Sequence, residues 1–141
     1  APMRSNASPM RSVKNLDGIY IFNAWSYTNA IHYTNNEGMT MEAMQEAAKS
    51  NEEIKKRVDL FRRRPDEEYY DIFNDPDCLN NLISDTKYTP EIQRMRSELK
   101  KWMKTYKDPL LYVYKNRNNK EKVRNNLYEL YPDLKIDDET K

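Results

Sequence analysis

Residues 65 to 82 read Pro-Asp-Glu-Glu-Tyr-Tyr-Asp-Ile-Phe-Asn-Asp-Pro-Asp-Cys-Leu-Asn-Asn-Leu. The aromatic and branched residues from 69 to 73 favour a β-strand. Asn74-Asp75-Pro76 then favours a turn, because Asn and Asp side chains bond the local backbone and proline fixes φ. Leu79 and Leu82 predict that the chain then returns to an apolar core. We therefore expect a strand, a turn and an anchored exit, with a structural rather than catalytic role.

A β-hairpin is predicted near the start of the chain. Residues 10 to 14 and 19 to 23 are rich in strand-forming residues and flank Asn15-Leu16-Asp17-Gly18. An Asp-Gly pair between two such runs is a hairpin signal. Ile19 and Ile21 alternate with Tyr20 and Phe22, so both faces of the predicted sheet are apolar and need cover.

Helical patterns fill most of the remaining chain. Residues 40 to 63 predict helix with a break near Ser50, and residues 90 to 106 predict the strongest helix, with Thr89 as N-cap and Pro90 in the first turn. One apolar stripe marks that second helix: Ile92, Met95, Leu99, Trp102, Met103 and Tyr106. Residues 110 to 114 predict a short strand or an extended segment.

The predicted fold class is α+β, a small antiparallel sheet of three to four strands packed with amphipathic helices. We expect residues 1–9 to form a flexible entry and residues 10–114 to form the folded subdomain. Residues 115–141 are expected to form a charged tail with one weak helix and a disordered end.

Composition restricts the function. The 141 residues are 38% hydrophobic, and 24 Lys and Arg balance 23 Asp and Glu to a net charge of +1, so no global field favours nucleic acid or an anionic membrane. The two glycines are too few for a phosphate-binding loop, and one His and one Cys leave no zinc-ligand cluster. We expect no nucleic-acid partner, no membrane partner and no structural zinc.

Two regions are candidates for ligand contact. Trp25 and His32 lie in an aromatic stretch, residues 24 to 38, which we expect to be a long loop. They are either ordinary loop residues or the lining of a glycan or peptide site. Arg62, in Arg62-Arg63-Arg64, is either part of a solvated helix end or a contact for sulfate or carboxylate groups, because guanidinium geometry matches such oxyanions. The acidic pair Glu67-Glu68 is expected to lie on the surface, and Cys78 is expected to be a passive thiol.

The opening stretch resembles the C-terminal part of the sulfatase family. Members commonly carry Glu, Tyr-Asp, Asp-Pro and Asn-Leu in that order, and the matching positions here are Glu68, Tyr70-Asp71, Asp75-Pro76 and Asn81-Leu82. Residues 9 to 13, Pro-Met-Arg-Ser-Val, also look like the strand that opens this subdomain in the N-sulfoglucosamine sulfohydrolases, the heparan N-sulfatase branch. The resemblance covers about residues 8 to 112.

This resemblance implies a parent enzyme that hydrolyses sulfate esters or sulfamates of glucosamine-containing glycans. The parent is implied to use calcium and a formylglycine residue and to be periplasmic or secreted, although no signal peptide is visible in this chain. Residues 7 to 11 imitate part of the Cys/Ser-x-Pro-x-Arg motif but place Ala7 where the nucleophile would be. No catalytic or metal residue is therefore assigned to this chain, and we expect the fragment alone to be inactive.

The resemblance implies two partners, the catalytic domain of the same polypeptide and a sulfated glycan substrate. The alternative is an independent glycan-binding or protein-interaction module. If the chain is cut from a larger enzyme, some apolar surface should be left uncovered, and such surface promotes association. We therefore expect the isolated chain to self-associate.

Overall fold

The computed structural model describes residues 7–29 and 38–139, with side chains up to residue 135. It contains a three-stranded antiparallel sheet in the order β1-β2-β3, formed by Met10–Lys14, Gly18–Asn23 and Glu67–Asp71. Helices pack on both faces of this sheet. The predicted α+β class is confirmed, with three strands in the described residues.

The β1–β2 hairpin forms where the sequence predicts it. The Asn15 backbone N–H donates to the Gly18 carbonyl at 3.0 Å. The Asn15 side-chain oxygen accepts from the backbone N–H groups of Asp17 and Gly18 at 2.9 and 2.8 Å. Such an Asx turn lets the side chain replace backbone partners in the loop. The hairpin is therefore closed by local chemistry.

The connection from β2 to β3 is helical. A short 3₁₀ helix covers Ala24–Tyr27, and the paired helices α1 (Met39–Ala48) and α2 (Glu52–Arg62) follow. The predicted break near Ser50 is present, and Asn51 caps α2, its side-chain oxygen accepting from the N–H groups of Glu53 and Ile54. The region expected to be a long loop thus begins as a helical turn; its residues 30–37 lie outside the described part.

Strand β3 begins and ends two residues earlier than predicted. It spans Glu67–Asp71, and Phe73 is exposed in the turn beyond it. The Asp71 side chain ends the strand by accepting from the backbone N–H and side-chain amide of Asn74 at 3.0 and 2.7 Å. Strand propensity at Ile72 and Phe73 is overridden by this turn.

Helix α3 (Thr89–Thr105) provides the main cover for one sheet face. Its buried side chains are Ile92, Met95, Leu99 and Met103. Trp102 and Tyr106, predicted on the same stripe, are exposed instead. The predicted cap is also displaced, because Thr89 lies inside the helix and Tyr88 occupies the N-cap position.

The chain after α3 remains helical and belongs to the core. Helix α4 (Leu111–Lys115) replaces the predicted strand or extended segment. Helix α5 (Lys120–Leu130) lies where the weak tail helix was predicted, and α6 (Pro132–Glu139) lies in the end that was expected to be disordered. The Asp108 carboxylate accepts from the Leu110 N–H at 2.8 Å, just ahead of α4, and holds Arg11 of β1 by two hydrogen bonds of 2.6 and 3.1 Å. The tail was expected to lie outside the folded subdomain, but among its described residues Val123, Leu127 and Leu134 have fully buried side chains.

The two sheet faces are covered unequally. Tyr20 and Phe22 are fully buried on the inner face, against α3, α4 and α5. Ile19 and Ile21 alternate onto the outer face and are half-buried. None of the described helices is long and apolar enough to span a lipid bilayer.

Gly18 lies where a side chain does not fit. A Cβ at this position would lie 2.8 and 2.9 Å from Cζ and Cε2 of the buried Tyr69 ring. We expect Gly18→Ala to lower the free energy of unfolding by about 1–3 kcal/mol, because the ring must move to relieve the overlap. Urea denaturation measures this.

The matched control is Leu16→Ala in the same turn, where the side chain is 93% exposed. It should change stability by less than about 0.5 kcal/mol. If Gly18→Ala is as stable as this control, the packing of Tyr69 against the hairpin is not as described.

Candidate functional site

A cavity of about 470 Å³ lies between the outer face of the sheet and helix α2. We call it the outer cavity. Apolar side chains form most of its wall, and two guanidinium groups belong to its lining on the α2 side. Its lining includes Ile19, Ile21, Arg57, Leu60, Phe61, Arg64, Glu68, Tyr70 and Cys78.

The periodicity of each element determines what it contributes to the outer cavity. Ile19 and Ile21 are two residues apart, so one strand face presents both. Arg57, Leu60 and Phe61 follow the i, i+3, i+4 spacing of one helix face. The Arg57 guanidinium carbon lies 5.9 Å from the centre of the Phe61 ring, a cation–π arrangement.

Glu68 is the centre of a buried polar cluster beside the outer cavity. Its carboxylate accepts from Arg64 at 2.7 Å, from Asn23 at 2.6 Å and from the Tyr70 hydroxyl. The Glu68 side chain is fully buried, whereas Arg64 is partly exposed. The expectation that Glu67-Glu68 is a surface pair is therefore wrong for Glu68. The three donors compensate for removing its carboxylate from water.

Burial, together with the hydrogen bond to Glu68, raises the pKa of the Tyr70 hydroxyl well above its ordinary value. The raised pKa keeps the phenol a donor into the alkaline range, where an exposed tyrosine would ionise. Cys78 lies in the same wall with φ of 52°, in the left-handed region. Burial and the nearby carboxylates of Asp75 and Asp77 raise its thiol pKa as well. A raised pKa suppresses the thiolate, the reactive form of cysteine.

Glu67 occupies the inner face of the same strand. It receives two hydrogen bonds from Arg96 of α3, at 2.8 and 3.1 Å, and one from the Tyr20 hydroxyl. Arg117 lies 3.9 Å away and stacks over the Tyr114 ring. Glu67 therefore links the sheet to the helical layer, and this cluster braces the fold.

The motif residues perform structural tasks. The Asp75 carboxylate accepts from the N–H groups of Leu79 and Asn80 at 3.1 and 2.9 Å. The Asn81 side chain accepts from the Tyr69 N–H at 3.0 Å, and the Leu82 N–H donates to the Tyr69 carbonyl at 2.8 Å. These bonds fold the turn back along β3.

The three predicted contact residues are not brought together in the described structure. Trp25 is 1% exposed, so its indole is packed in the protein interior. His32 lies outside the described residues. Arg62 is exposed and lies beside Lys56 and Arg63 at a separate surface depression. Whether any of them contacts a ligand remains a prediction.

The outer-cavity residues Arg57 and Tyr70 were missed by the sequence reasoning. The i, i+3, i+4 spacing of Arg57, Leu60 and Phe61 was a usable signal for a shared helix face. The Asn23–Glu68 contact joins residues 45 positions apart, and no local pattern indicates it.

Among the described residues, no group of three or more His, Cys, Asp or Glu side chains is placed to hold a metal ion. Comparison of the chain with protein-family models and with curated proteins finds no match.

Tyr70→Phe tests the buried cluster. At neutral pH we expect it to lower the free energy of unfolding by about 1–3 kcal/mol, because Glu68 loses one buried donor. In the unfolded chain Tyr70 ionises near its ordinary pKa of about 10, whereas in the folded chain its pKa is higher. The stabilisation by Tyr70 is thus complete below about pH 10 and lost as the pH rises above it.

The difference in unfolding free energy between wild type and Tyr70→Phe should therefore stay constant up to about pH 9 and shrink between about pH 10 and pH 12. Urea denaturation across this range measures the change, and Tyr106→Phe, at an exposed tyrosine, is the control. A difference that stays constant with pH would show that Tyr70 is not held neutral by the fold.

Proposed function

We propose that this chain is the C-terminal subdomain of a sulfatase-family hydrolase that resembles the N-sulfoglucosamine sulfohydrolases. It acts as a brace for the catalytic domain and forms part of one wall of the substrate pocket. The substrate class is sulfated glucosamine glycans. Calcium, formylglycine and catalytic residues belong to the parent catalytic domain, and the parent is periplasmic or secreted.

One observation carries the proposal: the residues that match the sulfatase motif form a contiguous bonded unit. Glu68 and Tyr70 bond each other on the outer face. Asp75 organises the turn, and Asn81 with Leu82 bonds the backbone of β3. Because these motif residues stabilise a strand and the turn that follows it, we expect the motif to belong to a structural subdomain and not to a reaction centre.

The guanidinium groups near α2 support a sulfated glycan as the substrate, because they can bind sulfate groups. Arg57 lines the outer cavity, and Arg62 is exposed at the end of the helix. Arg64 is occupied by Glu68 and Arg63 donates to the Asn29 carbonyl at 3.2 Å, so these two are already bonded within the fold. Arg57 and Arg62 are the better candidates for sulfate groups, since a guanidinium matches oxyanion geometry.

The first test compares this chain with the polypeptide encoded when its reading frame is extended upstream. We expect the extension to contain Cys/Ser-x-Pro-x-Arg, and the longer protein to hydrolyse an N-sulfated or O-sulfated glucosamine substrate. The 141-residue chain alone should release no sulfate and bind no calcium. Turnover by the short chain, or an upstream frame without the motif, would contradict the proposal.

The second test measures glycan contact directly. We expect Arg62→Ala to weaken binding of a fluorescent heparin hexasaccharide by about 2- to 5-fold, the size of one exposed charge contact. Lys100→Ala is the matched control, because Lys100 is an exposed cation on α3.

N-desulfated heparin distinguishes sulfamate recognition from simple charge attraction. If Arg62→Ala and Lys100→Ala weaken heparin binding equally, Arg62 makes no defined contact with the glycan. Tight binding by the isolated chain, with no sulfatase motif upstream, would favour the alternative of an independent glycan-binding module.

A further inference from the structure

Strand β1 is an edge of the sheet, and its backbone hydrogen-bonding pattern follows from the hairpin. The Asn15 N–H donates to the Gly18 carbonyl, and bonded pairs alternate along an antiparallel ladder. The bonded pairs toward β2 are therefore Val13 with Tyr20 and Arg11 with Phe22. The backbone groups of Met10, Ser12 and Lys14 point away from β2.

The two edges of the sheet differ. At the β3 edge, Asn81 and Leu82 bond the Tyr69 backbone, so the chain closes this edge itself. At the β1 edge, no described residue bonds the backbone of Ser12 or Lys14. The outward Met10 carbonyl accepts from Arg11 at 2.8 Å and retains a second lone pair. An open edge of this kind is a template for another strand.

A groove of about 510 Å³ runs beside the β1 edge, between the strand and α3. Val13, Leu99 and Trp102 line it, and Trp102 is 49% exposed. A large half-exposed aromatic side chain beside an unpaired strand edge combines apolar surface with free backbone groups. Strand addition uses both kinds of contact.

We propose that β1 pairs antiparallel with β1 of a second copy of this chain, around a two-fold axis at Ser12. The sheet then continues from one copy into the other. An isologous interface must complement itself, so the residues that the two-fold brings together decide whether this edge is suitable.

The register around Ser12 is self-complementary. Ser12 lies opposite the second copy's Ser12, and the two exchange backbone bonds. Lys14 lies opposite Met10 of the other copy, so the lysines do not face each other, and the lysine stem can cover the exposed part of Met10. Arg11 lies opposite Val13, and its charge is already neutralised by Asp108.

The overall charge permits the pairing. A net charge of +1 gives little repulsion between copies. Two five-residue strands, each with its adjoining groove, form a small interface, so we expect a weak dimer with a dissociation constant on the order of tens of micromolar. This inference does not depend on the sulfatase proposal, because it uses only the edge, the groove and the charge.

Sedimentation equilibrium of the pure chain over a range of concentrations tests the dimer. We expect Ser12→Pro to raise the dissociation constant roughly 10- to 100-fold, because it removes the two symmetric N–H donors at the axis. Ser12→Ala keeps these donors and should dimerise like wild type. The Ser12 N–H makes no bond to β2, so the proline removes no bond within the chain.

Residue-resolved amide exchange by NMR gives a second readout that needs no variant. The Ser12 and Lys14 amides should become protected as concentration rises, whereas Arg11 and Val13 should be protected throughout. A monomer at all concentrations would overturn the proposal. So would a dimer in which the Ser12 amide exchanges freely, or one that folded Ser12→Pro forms as tightly as Ser12→Ala.

Discussion

Two consecutive glutamates in β3 connect the sheet to both of its neighbouring layers. Successive strand residues point to opposite faces, so Glu67 meets Arg96 of α3 on the inner face and Glu68 meets Arg64 beyond α2 on the outer face. Each carboxylate also accepts from a tyrosine hydroxyl, Tyr20 or Tyr70. Loss of either arginine would leave a carboxylate short of donors, a costly state for the fully buried Glu68 and a smaller one for the partly exposed Glu67.

The inner face contains the densest part of the core. Tyr20 and Phe22 lie under α3, and the Phe22 ring meets the Tyr114 ring edge-on at 5.0 Å between centres. The Arg11–Asp108 pair joins β1 to the segment before α4. Burial alone would raise the pKa of Asp108, but hydrogen bonds from Arg11 and the Leu110 N–H outweigh it and lower the pKa. The carboxylate thus remains charged and holds strand and helix together.

The outer face is built differently from the inner face. Its cover comes from α2 through long side chains such as Arg57 and Phe61, which leave a cavity instead of a close-packed layer. Guanidinium groups beside an apolar wall suit an anionic ligand or the surface of another domain. The inner face thus maintains the fold, while the outer cavity and the helix end beside it keep guanidinium groups at the surface.

The sequence by itself determined the hairpin, the interrupted helix before β3, the long helix α3 and the α+β class, because these depend on turn chemistry and periodicity within a few residues. Only the tertiary structure decided that Glu68 is buried, that Trp25 is packed inside, and that α5 and α6 complete the core. The sequence predicted one weak helix in that tail but not its burial. The Asp108 carboxylate accepts from the Leu110 N–H, just ahead of the helix Leu111–Lys115, and its other partner is Arg11, 97 positions away. Long-range contacts of this kind depend on how the layers meet, and no local pattern encodes them.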